Sequence, residues 1–220
     1  MVASVAAQVP LSKEPRHHMT FENKQLRILD VNIPPGDKSL DHRHELDIAT
    51  ISMSQGTNTR IQTATQPAAE RPSRPFGDAT LAEYAGKASS HTIENIGKSA
   101  YQLFAVENLK TSGWSTAPAT SGLATKMTSE SRSFRLYDVN LAVPTSQTSH
   151  THAVPTIAVL ITGTVMSDGP DKQAKENPGA PIGLKQLTQP GQWIMVPPGD
   201  THHMVRLGPG PARIVEIEVR

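Results

Sequence analysis

The sequence predicts an all-β protein, a sandwich or a barrel, built from two copies of one unit. Short runs of alternating apolar and polar residues dominate the chain, as in LRILDVNI and ARIVEIEV, and turn-forming residues separate them. The 18 prolines and 15 glycines indicate many turns, and no stretch has the period of a long helix. The 220 residues are enough for one large domain or two small ones.

Two of the predicted strands are near copies of each other. LRILDVNI (residues 26–33) matches FRLYDVNL (residues 134–141) at an offset of 108 residues, and the same offset relates DHRHELD to TSHTHAV. Later in each copy, residues 91–107 match residues 202–218 at an offset of 111 residues, which implies a net insertion of three residues. A self-match at a nearly fixed period indicates two copies of one supersecondary unit.

The repeat divides the chain into four predicted segments. They are an N-terminal extension (residues 1–16), a first unit (17–113), a linker (114–125) and a second unit (126–220). Serine, threonine, alanine and glycine dominate the linker, as is typical of flexible connections. The start, MVASVAAQVPL, resembles the end of a secretory signal but lacks its basic region. The sequence thus leaves two localisations open: secreted or periplasmic, with residues 1–8 as a signal remnant, or cytoplasmic.

Composition and charge exclude several function classes. With 21 basic and 20 acidic residues, the net charge of +1 gives no electrostatic case for binding nucleic acid or an anionic membrane. The absence of cysteine excludes disulfides, thiolate nucleophiles and cysteine-ligated zinc. Neither a glycine-rich dinucleotide motif nor a phosphate-binding loop is present. The expected partner is a small-molecule substrate, and the sequence leaves open whether the chain forms a homodimer.

Three histidines recur at equivalent positions of the two repeats. They are His42, His44 and His91 in the first repeat and His150, His152 and His202 in the second. Two residues separated by one on a strand share a face, so each His-x-His pair presents two imidazoles together. Neutral imidazole is a common ligand of zinc, copper, iron and nickel. The repeated triple therefore predicts two metal sites rather than histidines that only pack in a core.

Other polar residues near these triples are predicted to play no part in metal binding. His17 and His18 lie in a polar stretch and are expected to be solvated. His203 follows His202 on a strand and should face the other way. Glu45 and Asp47 should face away from the first His-x-His pair and form a solvated rim, because strand side chains alternate.

Each half of the chain resembles a cupin. The first motif of that family contains His-x-His followed by a glutamate and a glycine, and the second runs G-x5-P-x-G-x2-H-x3-N. The second half has the full spacing of the second motif: Gly191, Pro197, Gly199 and His202, with Arg206 in place of the asparagine. The first half matches only its ending, through His91 and Asn95.

The resemblance implies two tandem antiparallel jelly-roll barrels, each with a metal site inside. The family's glutamate ligand should follow the second histidine by four or five residues. Ile48 and Ala49 stand there in the first half, and Thr156 and Ile157 in the second. Each site is therefore expected to be a set of three neutral histidines, similar to the three-histidine iron(II) dioxygenases among the cupins.

The functional hypothesis is a metal-dependent bicupin enzyme of dioxygenase type that acts on a small enolic or phenolic molecule. Iron(II) is the favoured cofactor, and zinc, nickel, manganese and copper are alternatives. Three neutral ligands leave the metal's whole charge available to an anionic substrate, so no catalytic side chain beyond the ligands is predicted. Two other readings stay open: a metal-assisted isomerase or hydrolase on the same scaffold, and a non-catalytic metal- and ligand-binding cupin.

Overall fold

The computed structural model describes residues 8–120, 127–142, 146–169 and 174–220. Within these ranges the chain consists of strands and one 3-10 turn, Leu11–Lys13, with no α-helix. No helix there is long and apolar enough to cross a membrane. The all-β prediction is confirmed. The signal-like start, residues 1–7, and the end of the predicted linker lie outside the described residues.

The chain divides into two compact units, residues 1–112 and 113–220. The first unit contains ten strands: β1 (Val9–Pro10), β2 (His17–Glu22), β3 (Leu26–Ile33), β4 (His42–His44), β5 (Ile48–Ser52), β6 (Thr59–Thr63), β7 (Ala69–Arg71), β8 (Ala79–Ala82), β9 (Ser89–Asn95) and β10 (Tyr101–Asn108). They form two sheets, in the orders β1-β4-β9-β6-β7 and β2-β3-β10-β5-β8.

The second unit contains nine strands: β11 (Met127–Glu130), β12 (Phe134–Leu141), β13 (His150–Thr151), β14 (Thr156–Thr162), β15 (Thr164–Asp168), β16 (Lys185–Leu187), β17 (Trp193–Val196), β18 (Thr201–Leu207) and β19 (Ala212–Val219). They form sheets in the orders β11-β12-β19-β14-β17 and β13-β18-β15-β16. Apart from β1, the strand orders of the two units correspond one to one.

The near-identical strands β3 and β12 occupy equivalent places in this topology. Each lies second in its sheet and pairs antiparallel along eight residues with the last strand of its unit, β10 or β19. Their apolar residues are buried in the core of each unit, with Leu29 and Val31 in the first and Val139 and Leu141 in the second. Burial of this apolar surface is the main driving force that holds the sheets of a unit together.

The hydrogen-bonded strands of each unit form two separate sheets rather than one closed barrel. The strand pairing thus does not confirm the predicted closed barrels. The two PPGD sequences, residues 34–37 and 197–200, are turns as predicted, closed by hydrogen bonds of 3.1 and 3.2 Å between their first and last residues. Gly36 and Gly199 take positive φ values of 76° and 79°, which a type II turn requires at its third position.

Candidate metal centres

The six predicted histidines come together as two groups of three. In each group, every residue offers one atom that lies within 4.8 Å of the corresponding atoms of the others. In the first unit, the antiparallel register of β4 and β9 places His42 directly opposite His91. In the second, β13 and β18 place His150 opposite His202. The third member of each group follows the first by two residues, His44 after His42 and His152 after His150. It therefore lies on the same face of the sheet.

The first group leaves several buried nitrogens without a hydrogen-bond partner. His42 donates its Nδ1 proton to the carbonyl oxygen of Leu40 at 2.9 Å, which leaves its Nε2 lone pair unsatisfied. His91 Nε2 and both ring nitrogens of His44 are also buried without a partner. Buried polar atoms are nearly always hydrogen-bonded, so several orphaned imidazole nitrogens in one place fit a bound metal ion.

The second group converges more tightly. The Nε2 atom of His152 lies 3.1 Å from Nε2 of His150 and 3.1 Å from Nε2 of His202. Two ligands in cis positions at about 2.1 Å from one ion stand about 3.0 Å apart, which matches this spacing. His150 donates Nδ1 to the carbonyl of Thr148 at 2.8 Å, as His42 does to Leu40. Its Nε2 lone pair therefore points at the other two rings.

The second group also contains a carboxylate that the sequence analysis missed. Oε2 of Glu216, on β19, lies 3.7 Å from His150 Nε2 and 3.6 Å from His152 Nε2 and has no hydrogen-bond partner. Gln147 donates to the other oxygen at 2.8 Å. Burial alone would raise the pKa of Glu216, but the neighbouring imidazoles of His150, His152 and His202 hold it below its usual range.

The expectation of three histidines alone is therefore wrong for the second group, although the family's usual glutamate position is without a carboxylate there. The family pattern places this residue shortly after the second histidine, whereas Glu216 comes from the last strand of the unit. One signal for it exists in the sequence: Glu216 and Glu218 alternate with apolar residues in the mostly apolar run IVEIEV. Both side chains are buried, so a structural or functional partner was to be expected.

A second layer of contacts orients His152. Oε1 of Glu218 accepts a hydrogen bond from His152 Nδ1 at 2.9 Å, while its other oxygen lies 3.2 Å from the guanidinium of Arg135. Tyr137 donates its hydroxyl proton to the same carboxylate at 3.2 Å. A carboxylate that holds the far nitrogen of a histidine fixes the tautomer that presents Nε2 to a metal.

His17 is buried rather than solvated, so that prediction is wrong. Its side chain lines the first site, and its ring centre lies 4.7 Å from the ring centre of His42. Nδ1 lies 2.6 Å from the buried carboxylate of Glu14. Burial lowers the pKa of His17 to about 4, although Glu14 opposes the shift. The adjacent His18 is exposed, as expected.

The acidic residues near the first group behave differently from each other. Glu45 is exposed and pairs with Arg43 at 2.8 Å. Asp47 is fully buried, and its Oδ1 accepts the backbone N–H groups of Tyr84 at 2.7 Å and Ala85 at 2.8 Å. The predicted solvated rim is therefore wrong for Asp47, which fixes a loop. Neither residue belongs to the histidine group.

A cavity of about 200 Å³ opens directly against the first histidine group. Most of its walls are apolar side chains and the rings of two tyrosines, and Thr50 and Arg74 form its polar end. Besides the histidines they include Val31, Ile61, Leu103, Tyr84, Tyr101, Thr50 and Arg74. In the second unit, a cavity of only about 10 Å³ lies beside His202.

No protein-family model and no curated protein sequence matches the chain. Solved structures do match it. AerE from Microcystis aeruginosa superposes with a TM-score of 0.62 at 12% identity, covering 94% of this chain and 98% of that one. A cupin 2 conserved barrel domain protein from Leptotrichia buccalis gives 0.58 at 10% identity, over 95% and 91%. Oxalate decarboxylase from Bacillus subtilis, described with Mn(II) centres, gives 0.59 at 10%, over 89% and 69%. At these identities the likeness establishes a cupin fold.

Proposed function

We propose that this chain is a metal-dependent bicupin with one jelly-roll barrel and one divalent metal ion in each unit. The cupin fold of the structural neighbours, one of them with Mn(II) centres, supports the scaffold. The orphaned imidazole nitrogens support the ions. We further propose that the first unit carries the reaction, an oxygenation of a small enolic or phenolic molecule with iron(II) as the cofactor.

The cavity beside the first histidine group is the observation that carries this proposal. It borders His42, His44 and His91, so a molecule bound there would meet a metal ion held by the three side chains. In the second group, the carboxylate of Glu216 approaches the histidines instead. We therefore assign substrate binding to the first unit and a mainly structural ion to the second.

The size and lining of the cavity suggest the class of substrate. An apolar cavity of about 150 Å³ is enough to hold benzene, so a volume of about 200 Å³ suits one small ring with its substituents. Ile61 and Leu103 offer apolar contacts to such a ring. Arg74 lies at the polar end, held by Thr50 Oγ1 at 3.0 Å and Asp78 at 2.9 Å.

The charge of the site favours an anionic oxygen on the substrate. The three histidines bring no net charge, since burial lowers the pKa of each, that of His44 to about 2 and that of His91 to about 3. An iron(II) ion would supply Lewis acidity and the electrons for oxygen chemistry. An enolate or phenolate would then be attracted by the ion's whole charge in a site that apolar walls shield from water. The chain's own role is to hold the ion, orient the ring and exclude water.

A matched pair of variants tests the assignment. The untagged protein is loaded with iron(II) without oxygen, and oxygen uptake is measured with a panel of small enols and phenols. We expect His91→Ala to abolish uptake because it removes a ligand of the first group. The equivalent change in the second unit, His202→Ala, should keep most of the uptake.

The other outcomes separate the remaining hypotheses. Conversion of the same compounds without oxygen uptake would favour a metal-assisted isomerase or hydrolase. Binding of a compound to the metal-loaded protein without any conversion would favour a non-catalytic cupin. Uptake that survives His91→Ala but not His202→Ala would contradict the assignment of the reaction to the first unit.

A further inference from the structure

The first unit holds a fourth buried histidine at its metal site. We propose that His17 is a fourth nitrogen ligand there, which makes the first centre a four-histidine site. This inference rests on the proposed function only in requiring a metal ion at the first group. It adds a ligand that lies outside both histidine motifs, on the strand β2 near the start of the unit.

Ring spacing is the first argument. Imidazoles that bind one ion in cis positions, with nitrogen about 2.1 Å from the ion, have ring centres about 4.5 Å apart. The centre of the His42 ring lies 4.6 Å from that of His91 and 5.2 Å from that of His44. The His17 ring lies 4.7 Å from His42, within the same range. The ligand atoms of His42, His44 and His91 lie within 4.8 Å of one another, and the ring nitrogens of His17 lie farther away. Metal binding would therefore draw the His17 ring toward the other three.

Orientation is the second argument. Glu14 accepts the Nδ1 proton of His17, which leaves Nε2 as the nitrogen free to bind an ion. The same carboxylate accepts the backbone N–H of Leu40 at 3.1 Å, and the carbonyl of Leu40 accepts the Nδ1 proton of His42. One buried acidic group thus organises two neighbouring imidazoles.

The position of His17 in the sheet is the third argument. His17 pairs with Val31, which pairs on its other side with Leu103, and paired residues share one face of a sheet. Ala105 lies two residues after Leu103 on β10, so its side chain lies on the same face of the sheet. His17 therefore projects from the wall on which the second unit carries Glu216. A neutral imidazole there would add a fourth ligand without reducing the charge of the ion.

The test uses protein in which only the first site can bind metal. In a His150→Ala/His152→Ala background, zinc affinity is measured by competition with a chelator, and X-ray absorption of the zinc-loaded protein counts coordinated imidazoles. We expect four imidazoles. We expect His17→Ala to reduce the count to three and to weaken zinc binding by at least about tenfold. His18→Ala, an exposed neighbour on the same strand, should change neither quantity.

The controls keep this inference separate from the proposed function. If three imidazoles are counted before any change at His17, or if His17→Ala leaves count and affinity unchanged while His91→Ala abolishes binding, His17 is not a ligand although the metal site stands. If the His150→Ala/His152→Ala protein binds no zinc, iron(II) or manganese, the metal site and the fourth ligand both fail. The number of coordinated imidazoles in the protein that retains His17 decides the question even if His17→Ala folds poorly.

Discussion

Ala105 and Glu216 occupy the same position in the two units and differ in one decisive property, the presence of a carboxylate. Ala105 pairs with Leu29 on one side and Thr50 on the other. Glu216 pairs with Tyr137 and Ala158. These two residues are equivalent to Leu29 and Thr50, at the offset of 108 residues that relates the repeats. The methyl group of Ala105 borders the cavity of about 200 Å³, whereas Glu216 points at three histidines. The position that borders a cavity in the first unit thus carries a carboxylate beside the histidines in the second.

Removing the charge of Glu216 should weaken metal binding at the second group. In a His42→Ala/His44→Ala background, which disables the first group, Glu216→Gln should lower zinc or manganese affinity at least about tenfold, because the amide is a weaker ligand than the carboxylate. Chelator competition measures the change. Unchanged affinity would mean that Glu216 does not bind the ion and that its closeness to the histidines has another cause.

Introducing a carboxylate at Ala105 should convert the first site toward the second. Ala105→Glu should preserve or strengthen metal binding but abolish oxygen uptake, because the side chain fills the cavity and reduces the charge of the ion. Ala105→Gln has the same size without the charge and should also block uptake, but without strengthening metal binding. Full uptake in both variants would show that the substrate does not bind in this cavity.

The sequence predicted the histidines because they are repeated, and it failed where the repeats differ. A self-match at one offset pairs His42 with His150, but it cannot reveal a ligand such as Glu216 whose counterpart is Ala105. His17 was missed for a different reason: its strand is polar in composition, and its burial depends on the turn that brings Glu14 against it. Tertiary contacts of this kind leave no periodic signal in the chain.

Neighbouring histidines on β18 should differ sharply in their effect on metal content. His202 is buried in the second group, whereas His203 is partly exposed and lies 3.7 Å from Asp168 on the opposite face. His202→Ala should remove the metal of the second group, and His203→Ala should retain it. Elemental analysis of the two untagged variants measures the difference. Equal metal retention would refute the ligand assignment and the alignment of this half with the cupin motif.

Asp47 should matter for stability and not for metal. Asp47→Ala leaves the part-buried N–H group of Tyr84 and the buried N–H group of Ala85 without their acceptor, and the buried donor alone costs about 1–3 kcal/mol. Metal content should stay at the level of the unchanged protein. Glu45→Ala is the matched control, since its exposed pair with Arg43 is worth little. Denaturant unfolding and elemental analysis test both statements, and loss of metal in Asp47→Ala would contradict the second.

Glu218 and Glu107 offer the sharpest separation of a structural from a metal-orienting role. Both are buried, lie at equivalent positions and pair with an equivalent arginine, Arg135 at 3.2 Å and Arg27 at 2.7 Å. Of the two, only Glu218 hydrogen-bonds to a histidine of the candidate metal groups, and Nδ1 of His44, the equivalent of His152, has no partner. Burial raises the pKa of Glu107, whereas hydrogen bonds from His152 and its neighbours outweigh burial and lower the pKa of Glu218.

Glu218→Gln should therefore lower metal affinity at the second group by about 10–100-fold, the usual effect of losing the partner that orients a ligating histidine. Glu107→Gln should leave affinity at the first group unchanged. Each variant loses the charge of a buried pair with arginine, so both should be destabilised, and the thermal midpoints of the two should fall together. Chelator competition at each site, with the other site disabled, separates the two effects. If both variants lose affinity equally, loosening of the sheet explains the result, and the hydrogen bond from His152 to Glu218 has no special role in holding the ion.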